Sequence, residues 1–158
     1  MTVQITILGL GQICGSIGLA LAEQKELLTR VGHDVDVKNA RQAEKMGVVD
    51  KIEINLPKAI RDAEIVVLSL PVDQMRETLE FIAPDLREGA VIMDTGPAKE
   101  VVASWAAQYL PEGRFYVGLT PVLNPAYLYS PEAGLQAAHA DLFTGGLMAI
   151  AAPPQSRS

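Results

Sequence analysis

The sequence predicts an α/β protein: a Rossmann-type, doubly wound, mostly parallel sheet flanked by helices on both faces. Three observations predict it. Short apolar runs alternate with segments of helical period along the chain, as βα units do. The runs ITIL, EIVVLSL and AVIMD are nearly free of polar alternation, the pattern of strands covered on both faces. A glycine-rich turn, G-L-G-Q-I-C, stands between the first run and the first helical segment, where a dinucleotide-binding fold carries its glycines.

The elements follow in order. Val3 to Leu8 reads as a central strand. From Gln12 the period changes: Ile13, Ile17, Ala20, Leu21 and Leu28 share one helical face, opposite Glu23, Lys25 and Glu26. Arg30 to Asp34 is a short second strand, and Asp36 caps a helix that Gly47 stops after Met46. Lys51 to Asn55 is an edge-like third strand, and Pro57 opens a short helix at its first position. Glu64 to Leu70 is a buried strand. After Pro71 the stripe Val72, Met75, Leu79 and Ile82 marks a helix that Pro84 ends. Ala90 to Asp94 is the next strand, followed by a helix started by Pro97 and carrying Val101, Val102, Trp105 and Tyr109. Phe115 to Gly118 is a sixth strand and Leu147 to Ala151 a last one, separated by a less regular segment over 119–146.

At 158 residues, 49% hydrophobic and 20% charged, the chain is expected to form one domain over 1–153 with a tail at 154–158. Its net charge of −6, with no stripe of Lys or Arg, argues against a nucleic-acid groove. A polyanionic ligand must then be held by backbone N–H groups. The single Cys14 rules out an internal disulfide and suits a reducing cytoplasm. His33 and His139 have no metal-ligand spacing around them, so no metal site is expected. No signal peptide is recognisable, and no apolar run approaches the ~20 residues a membrane span needs. A cytoplasmic location is expected.

Gly9 permits the tight turn out of the first strand, and Gly11 lets the backbone approach a pyrophosphate. The N–H groups of Gln12 and Ile13, at the positive end of the helix, would bind that charge. Cys14 stands where a third glycine would complete G-x-G-x-x-G, with Gly15 and Gly18 behind it to relieve crowding. It reads as tolerated packing; a reactive thiol at a helix start is the alternative. Asp34 follows Cys14 by 20 residues, where an acid accepts hydrogen bonds from the ribose 2′-hydroxyl and repels a 2′-phosphate. That favours NAD over NADP. The remaining strand ends, Ser69–Leu70–Pro71, Asp94–Thr95–Gly96–Pro97 and Gly118–Leu119–Thr120–Pro121, should wall the same crevice. Ser69, Leu70, Pro71, Thr95 and Gly96 complete the expected cofactor site.

With these pieces placed, the chain resembles the cofactor domain of prephenate and arogenate dehydrogenases. The resemblance is carried, in order, by GLGQICGSIGLAL, VGHDVD, KMGVVD, DAEIVVLSLPV, LREGAVIMDTGPAKE, RFYVGLTP and ADLFTGG. It implies an NAD-dependent oxidoreductase of tyrosine biosynthesis, in which the cofactor takes a hydride from the substrate ring as the carboxylate leaves as CO₂. It also implies a catalytic histidine in G-G-H-P and a supporting serine in D-x-G-S-x-K. Here those segments read G-L-T-P and D-T-G-P-A-K, so Thr120 and Pro97 occupy the two positions, while Lys99 matches the family lysine. An unactivated threonine hydroxyl is no base near pH 7. His139 is a candidate displaced base, or an ordinary loop histidine; Asn124, Tyr127 and Tyr129 are candidate substrate contacts, or packing. The helical domain that follows the sheet in this family, with its dimer contact, is expected to be absent from the chain, and apolar surface left exposed there would favour a homodimer. Three readings stay open: a prephenate dehydrogenase-like enzyme, a related dehydrogenase or reductase for another hydroxy acid or imine, and an NAD-binding module without catalysis.

Overall fold

In the computed structural model, which describes residues 1–153, seven strands form one sheet in the order β3-β2-β1-β4-β5-β6-β7. The strands are β1 (Val3–Leu8), β2 (Leu28–His33), β3 (Lys51–Ile52), β4 (Ile65–Leu68), β5 (Val91–Asp94), β6 (Phe115–Val122) and β7 (Leu147–Ala151). The helices are α1 (Gln12–Ala20), α2 (Val37–Lys45), α3 (Leu56–Arg61), α4 (Val72–Ile82) and α5 (Lys99–Tyr109). All pairings are parallel except β6 with β7. The doubly wound α/β class expected from the sequence is the one observed.

Side chains alternate across the sheet and feed two cores. Leu8, Val66, Leu68 and Ile92 turn toward α3, α4 and α5, where Ile60, Met75, Leu79, Ile82 and Val102 meet them. Ile5, Ile7 and Val67 turn to the other face, toward Cys14 of α1 and Ala40 and Ala43 of α2. Leu135 and Ala138, in and just after a 3-10 turn over Gly134–Ala137, complete that second core. Among the described residues no helix is long and apolar enough to cross a membrane.

Several boundaries differ from the sequence expectation, each for a local reason. α1 ends at Ala20, because Leu28 pairs with Val3 as the first residue of β2 and cannot belong to a helix. β3 is two residues long, and Asn55 rather than Pro57 opens α3, its side chain accepting from the Lys58 N–H at 3.0 Å. α5 starts at Lys99, two residues beyond Pro97, because Asp94 Oδ1 takes the Gly96 N–H at 2.7 Å and turns the chain before the helix can begin. β4 spans only Ile65–Leu68, which leaves Ser69 and Leu70 beyond the sheet. β6 runs on to Val122 because antiparallel β7 supplies partners beyond the end of β5. Asp36 caps α2 as expected, with the Lys38 N–H 2.9 Å from its carboxylate. The expected tail at 154–158 lies outside the described residues.

One buried cation ties β2 to its surroundings. The Arg30 side chain is 2% exposed. Its Nη1 donates to the carbonyls of Gly18 (2.6 Å), Gly47 (2.9 Å) and Val48 (3.1 Å). Nε and Nη2 fork onto Asp50 at 3.2 and 2.7 Å. The last turn of α1 can lie this close because position 18 is glycine: a Cβ there would stand 2.3 Å from the Val48 carbonyl oxygen.

Candidate functional site

Parallel strands align their carboxyl ends along one edge of the sheet, and the loops leaving them build the candidate site. The reversal of winding falls between β1 and β4, where two helices diverge to opposite faces and leave a crevice. A staircase of backbone bonds fixes its rim. The Gly9 N–H donates to the His33 carbonyl (3.1 Å), the Ser69 N–H to Leu8 (3.0 Å) and the Thr95 N–H to Leu68 (3.0 Å). Thr95 Oγ1 adds a bond to the same Leu68 carbonyl at 3.1 Å.

Gly9 has φ +85°, a left-handed conformation that L side chains rarely adopt. A Cβ there would also meet the Ser69 carbonyl oxygen at 2.4 Å. Gly11 differs: a Cβ would meet nothing within 4 Å, so the turn is open on that side. α1 begins at Gln12 with no side-chain cap. The first N–H groups of a helix have no intrahelical acceptor, so this end offers donors and a positive dipole to an anion. At the end of β2, Asp34 Oδ2 accepts from the Leu10 N–H at 3.0 Å, which places the acid against the glycine turn. The structure therefore gathers Gly9, Gly11, Gln12, Ile13, Asp34, Ser69, Leu70, Pro71, Thr95 and Gly96 along one edge, on the loops after β1, β2, β4 and β5 and at the start of α1.

Cys14 is fully buried, with the Ser69 and Thr95 side chains near its thiol. It packs into the core with Val67 of β4 and Leu135. Gly15 and Gly18 serve other neighbours, the Ala138 methyl and the Val48 carbonyl. Burial pushes the thiol from an ordinary 9.0 up to about 12, against the lowering bonds from Ser69 and Thr95. This supports the packing reading. The native protein is expected to resist an aromatic disulfide reagent at pH 8 and to react fully once denatured in urea; prompt labelling of the native thiol would refute the assignment. Because the folded value lies above the unfolded one, Cys14 stabilises the fold fully below about pH 9 and loses that contribution as pH rises toward 12. Cys14→Ala should flatten the alkaline limb of stability against pH.

The far end of the crevice holds a second buried group. Asp94 is 0% exposed; its Oδ2 accepts from Lys99 Nζ and from the Tyr116 hydroxyl, each at 3.2 Å. Lys99 Nζ also donates to the Asp94 carbonyl at 2.6 Å. Burial pulls the lysine below its ordinary range, against the pull of Asp94, and burial raises Tyr116. Lys99 therefore braces the β5–α5 turn. Thr120 is exposed on the part of β6 that pairs only with β7, opposite Ala149, and Pro97 is exposed in the turn before α5.

His139 stacks on Tyr127, with ring centroids 4.2 Å apart, and its Nε2 lies 3.5 Å from Glu132. The Tyr127 hydroxyl donates to Asp141 at 2.5 Å, and the His139 N–H donates to Ser16 Oγ on α1 at 2.9 Å. Asn124 caps a 3-10 turn, while Tyr129 is exposed. These contacts account for His139, Tyr127 and Asn124 by packing within the loop between β6 and β7. His33 bonds through Nδ1 to the Glu53 carbonyl at 2.9 Å. Sequence reasoning missed Asn39, whose amide reaches both Asp34 and the glycine turn. Only its position, five residues after the acid and in the first turn of a capped helix, could have hinted at it. Among the described residues no group of three or more His, Cys, Asp or Glu could hold a metal ion.

Comparison with known proteins agrees with this architecture. Residues 17–156 match the nucleotide-binding domain of prephenate dehydrogenases, a segment that begins just after the glycine turn. The chain is 31% identical over 140 residues to prephenate dehydrogenase of Bacillus subtilis, covering 88% of this chain and 36% of that protein. It is also 31% identical over 143 residues to prephenate dehydrogenase of Lactococcus lactis, covering 89% and 38%. It thus spans well under half the length of these relatives. In fold it is similar to prephenate dehydrogenase from Aquifex aeolicus, solved with hydroxyphenyl propionate and NAD⁺ (TM-score 0.82, 19% identity, covering 99% of this chain and 52% of that one). Synechocystis arogenate dehydrogenase is similar too (TM-score 0.80, 22% identity, covering 97% and 51%). By the reach of the family match and by these identities, the chain belongs to the nucleotide-binding domain family of prephenate dehydrogenases.

Proposed function

We propose that this domain binds NAD along the carboxyl edge of its sheet, as the cofactor half of a prephenate dehydrogenase-like oxidoreductase. One observation carries the reading: an uncapped helix start and an open Gly11 turn lie beside Asp34, the acid that closes β2. Gly9 holds the turn tight, and the N–H groups of Gln12 and Ile13 take the pyrophosphate. Asp34 takes the adenosine ribose and repels a 2′-phosphate, so NAD is preferred to NADP. Ser69, Leu70, Pro71, Thr95 and Gly96 flank the nicotinamide end. The bound cofactor supplies a hydride acceptor, and the domain's part is to hold it and to exclude water.

A second reading rests on Thr120 and Pro97. Neither side chain can take a proton from a substrate hydroxyl near neutral pH. An enzyme acting on a different hydroxy acid or imine, or a module that binds NAD without catalysis, accommodates both residues directly.

Calorimetric titration with NAD and NADP, on the parent chain and on Asp34→Ala, tests the cofactor assignment. The parent should prefer NAD, and the variant should lose about tenfold or more in NAD affinity, the worth of one charge-assisted hydrogen bond. Binding of neither nucleotide would overturn the reading. NADH formation with prephenate or arogenate, compared with a panel of hydroxy acids and imines, then separates the enzymatic readings; NAD binding with no turnover of any of them would favour the non-catalytic module.

A further inference from the structure

The Asp34 carboxylate is held by three donors before any ligand arrives. Oδ2 accepts from the Leu10 N–H at 3.0 Å and from Asn39 Nδ2 at 2.8 Å; Oδ1 accepts from the Asp36 N–H at 2.9 Å. The Asn39 amide nitrogen has a second acceptor, the Leu10 carbonyl, also at 2.8 Å. Both neighbours are oxygens with no proton to give, so only the NH₂ end of Asn39 can face them. Leu10 is the buried residue between Gly9 and Gly11, and its carbonyl and N–H are both engaged by this pair. Asn39 therefore ties the middle of the glycine turn to the acid at the end of β2.

The location of Asn39 makes the tie rigid. It is the third residue of α2, half-buried, on a helix whose start Asp36 caps. An ionised carboxylate has about four acceptor sites. Three are taken here by protein donors, which leaves capacity on Oδ1, the oxygen not held by Asn39.

We propose that Asn39 is a positioning residue for nucleotide discrimination. By holding Asp34 Oδ2 against the glycine turn, it presents Oδ1 to the ribose diol and keeps the negative charge where a 2′-phosphate would lie. This inference rests on the NAD reading above and adds to it the residue that enforces the preference.

A double-mutant cycle tests it, with NAD and NADP affinities measured calorimetrically and thermal unfolding followed in parallel. In Asn39→Ala the acid keeps the Leu10 and Asp36 N–H groups but loses the side-chain donor that fixes Oδ2, so NAD affinity should fall by up to about tenfold, the effect of losing one hydrogen bond to a charged group. NADP affinity should fall by less, because the fixed repulsion is relieved, and the NADP-to-NAD ratio of dissociation constants should shrink. Adding Asn39→Ala to Asp34→Ala should cost much less NAD affinity than Asn39→Ala costs alone, because only the bond to the Leu10 carbonyl is then left to lose. Asn39→Leu keeps the volume without the donors and serves if the alanine variant folds poorly. Equal weakening of both nucleotides, or additive losses in the cycle, would overturn the positioning role and leave the NAD reading standing. Failure of the parent chain to bind NAD would overturn both.

Discussion

Arg30→Ala should destabilise the domain by about 3–5 kcal/mol, because it leaves buried carbonyl oxygens without a donor at about 1–3 kcal/mol each, while the partly exposed Asp50 returns to solvent. In the parent protein the guanidinium serves three carbonyls and a carboxylate at once. Its loss leaves Gly18, Gly47 and Val48 with carbonyl oxygens facing a vacated hole, and leaves Asp50 without its fork. Arg30→Lys should recover little, because an ammonium has three donors and no planar fork to match the carboxylate. Urea denaturation of the three proteins checks both expectations; a loss under ~1 kcal/mol for the alanine variant would mean water replaces the guanidinium at little cost. The pair also sets an acid limb. Chiefly through the hydrogen bond from its side chain, Arg30 holds the Asp50 carboxyl below its ordinary 3.8. A depressed folded value stabilises the fold above about pH 4, and that contribution is lost as pH falls through the folded value. The Arg30→Ala variant should lack that part of the acid sensitivity.

Gly9→Ala should affect both stability and binding. A side chain at φ +85° is strained, and its Cβ would stand 2.4 Å from the Ser69 carbonyl oxygen, a backbone atom that cannot rotate away. Left-handed strain and overpacking together come to about 2–5 kcal/mol. Relief requires the turn after β1 to move away from the end of β4, which carries the Gln12 and Ile13 N–H groups out of alignment with Asp34. NAD affinity should therefore fall by about 100-fold or more, beyond what removing a single hydrogen bond does. Gly11→Ala is the contrasting variant. Its φ is not positive and its Cβ would meet no protein atom within 4 Å, so the apoprotein should keep its stability. If Gly11→Ala nevertheless binds NAD as the parent does, the pyrophosphate does not approach the turn at that point.

The two variants illustrate what can be read from a sequence and what cannot. A glycine turn between an apolar strand and a helix is a local pattern, and Gly9 and Gly11 were legible because strand, turn and helix start adjoin in the chain. The spacing to Asp34 was legible for the same reason: one helix and one strand of ordinary length separate it from the turn. Cys14 was half legible. Its burial followed from its place at the start of α1, but its partners Ser69 and Thr95 belong to loops that reach it only through strand order.

Arg30 and Asn39 show the limit. Nothing near Arg30 in the chain marks it as buried, and a charged residue at a strand start reads as solvated. Its five bonds come from α1, the turn after α2, and Asp50, which meet only when β2 lies between β1 and β3. Asn39 looks like an ordinary polar residue of a helix start until Leu10, twenty-nine positions earlier, is brought against it.

By itself, then, the sequence determined the parallel α/β fold, the caps of α2, and the turn and acid of the expected nucleotide site, because each depends on periodicity or spacing within one βα unit. The tertiary structure decided where α1 stops, how far β6 extends, which polar groups are buried and what orients Asp34. Those depend on hydrogen-bond partners distant in sequence, and a buried polar group is stable only where such partners converge.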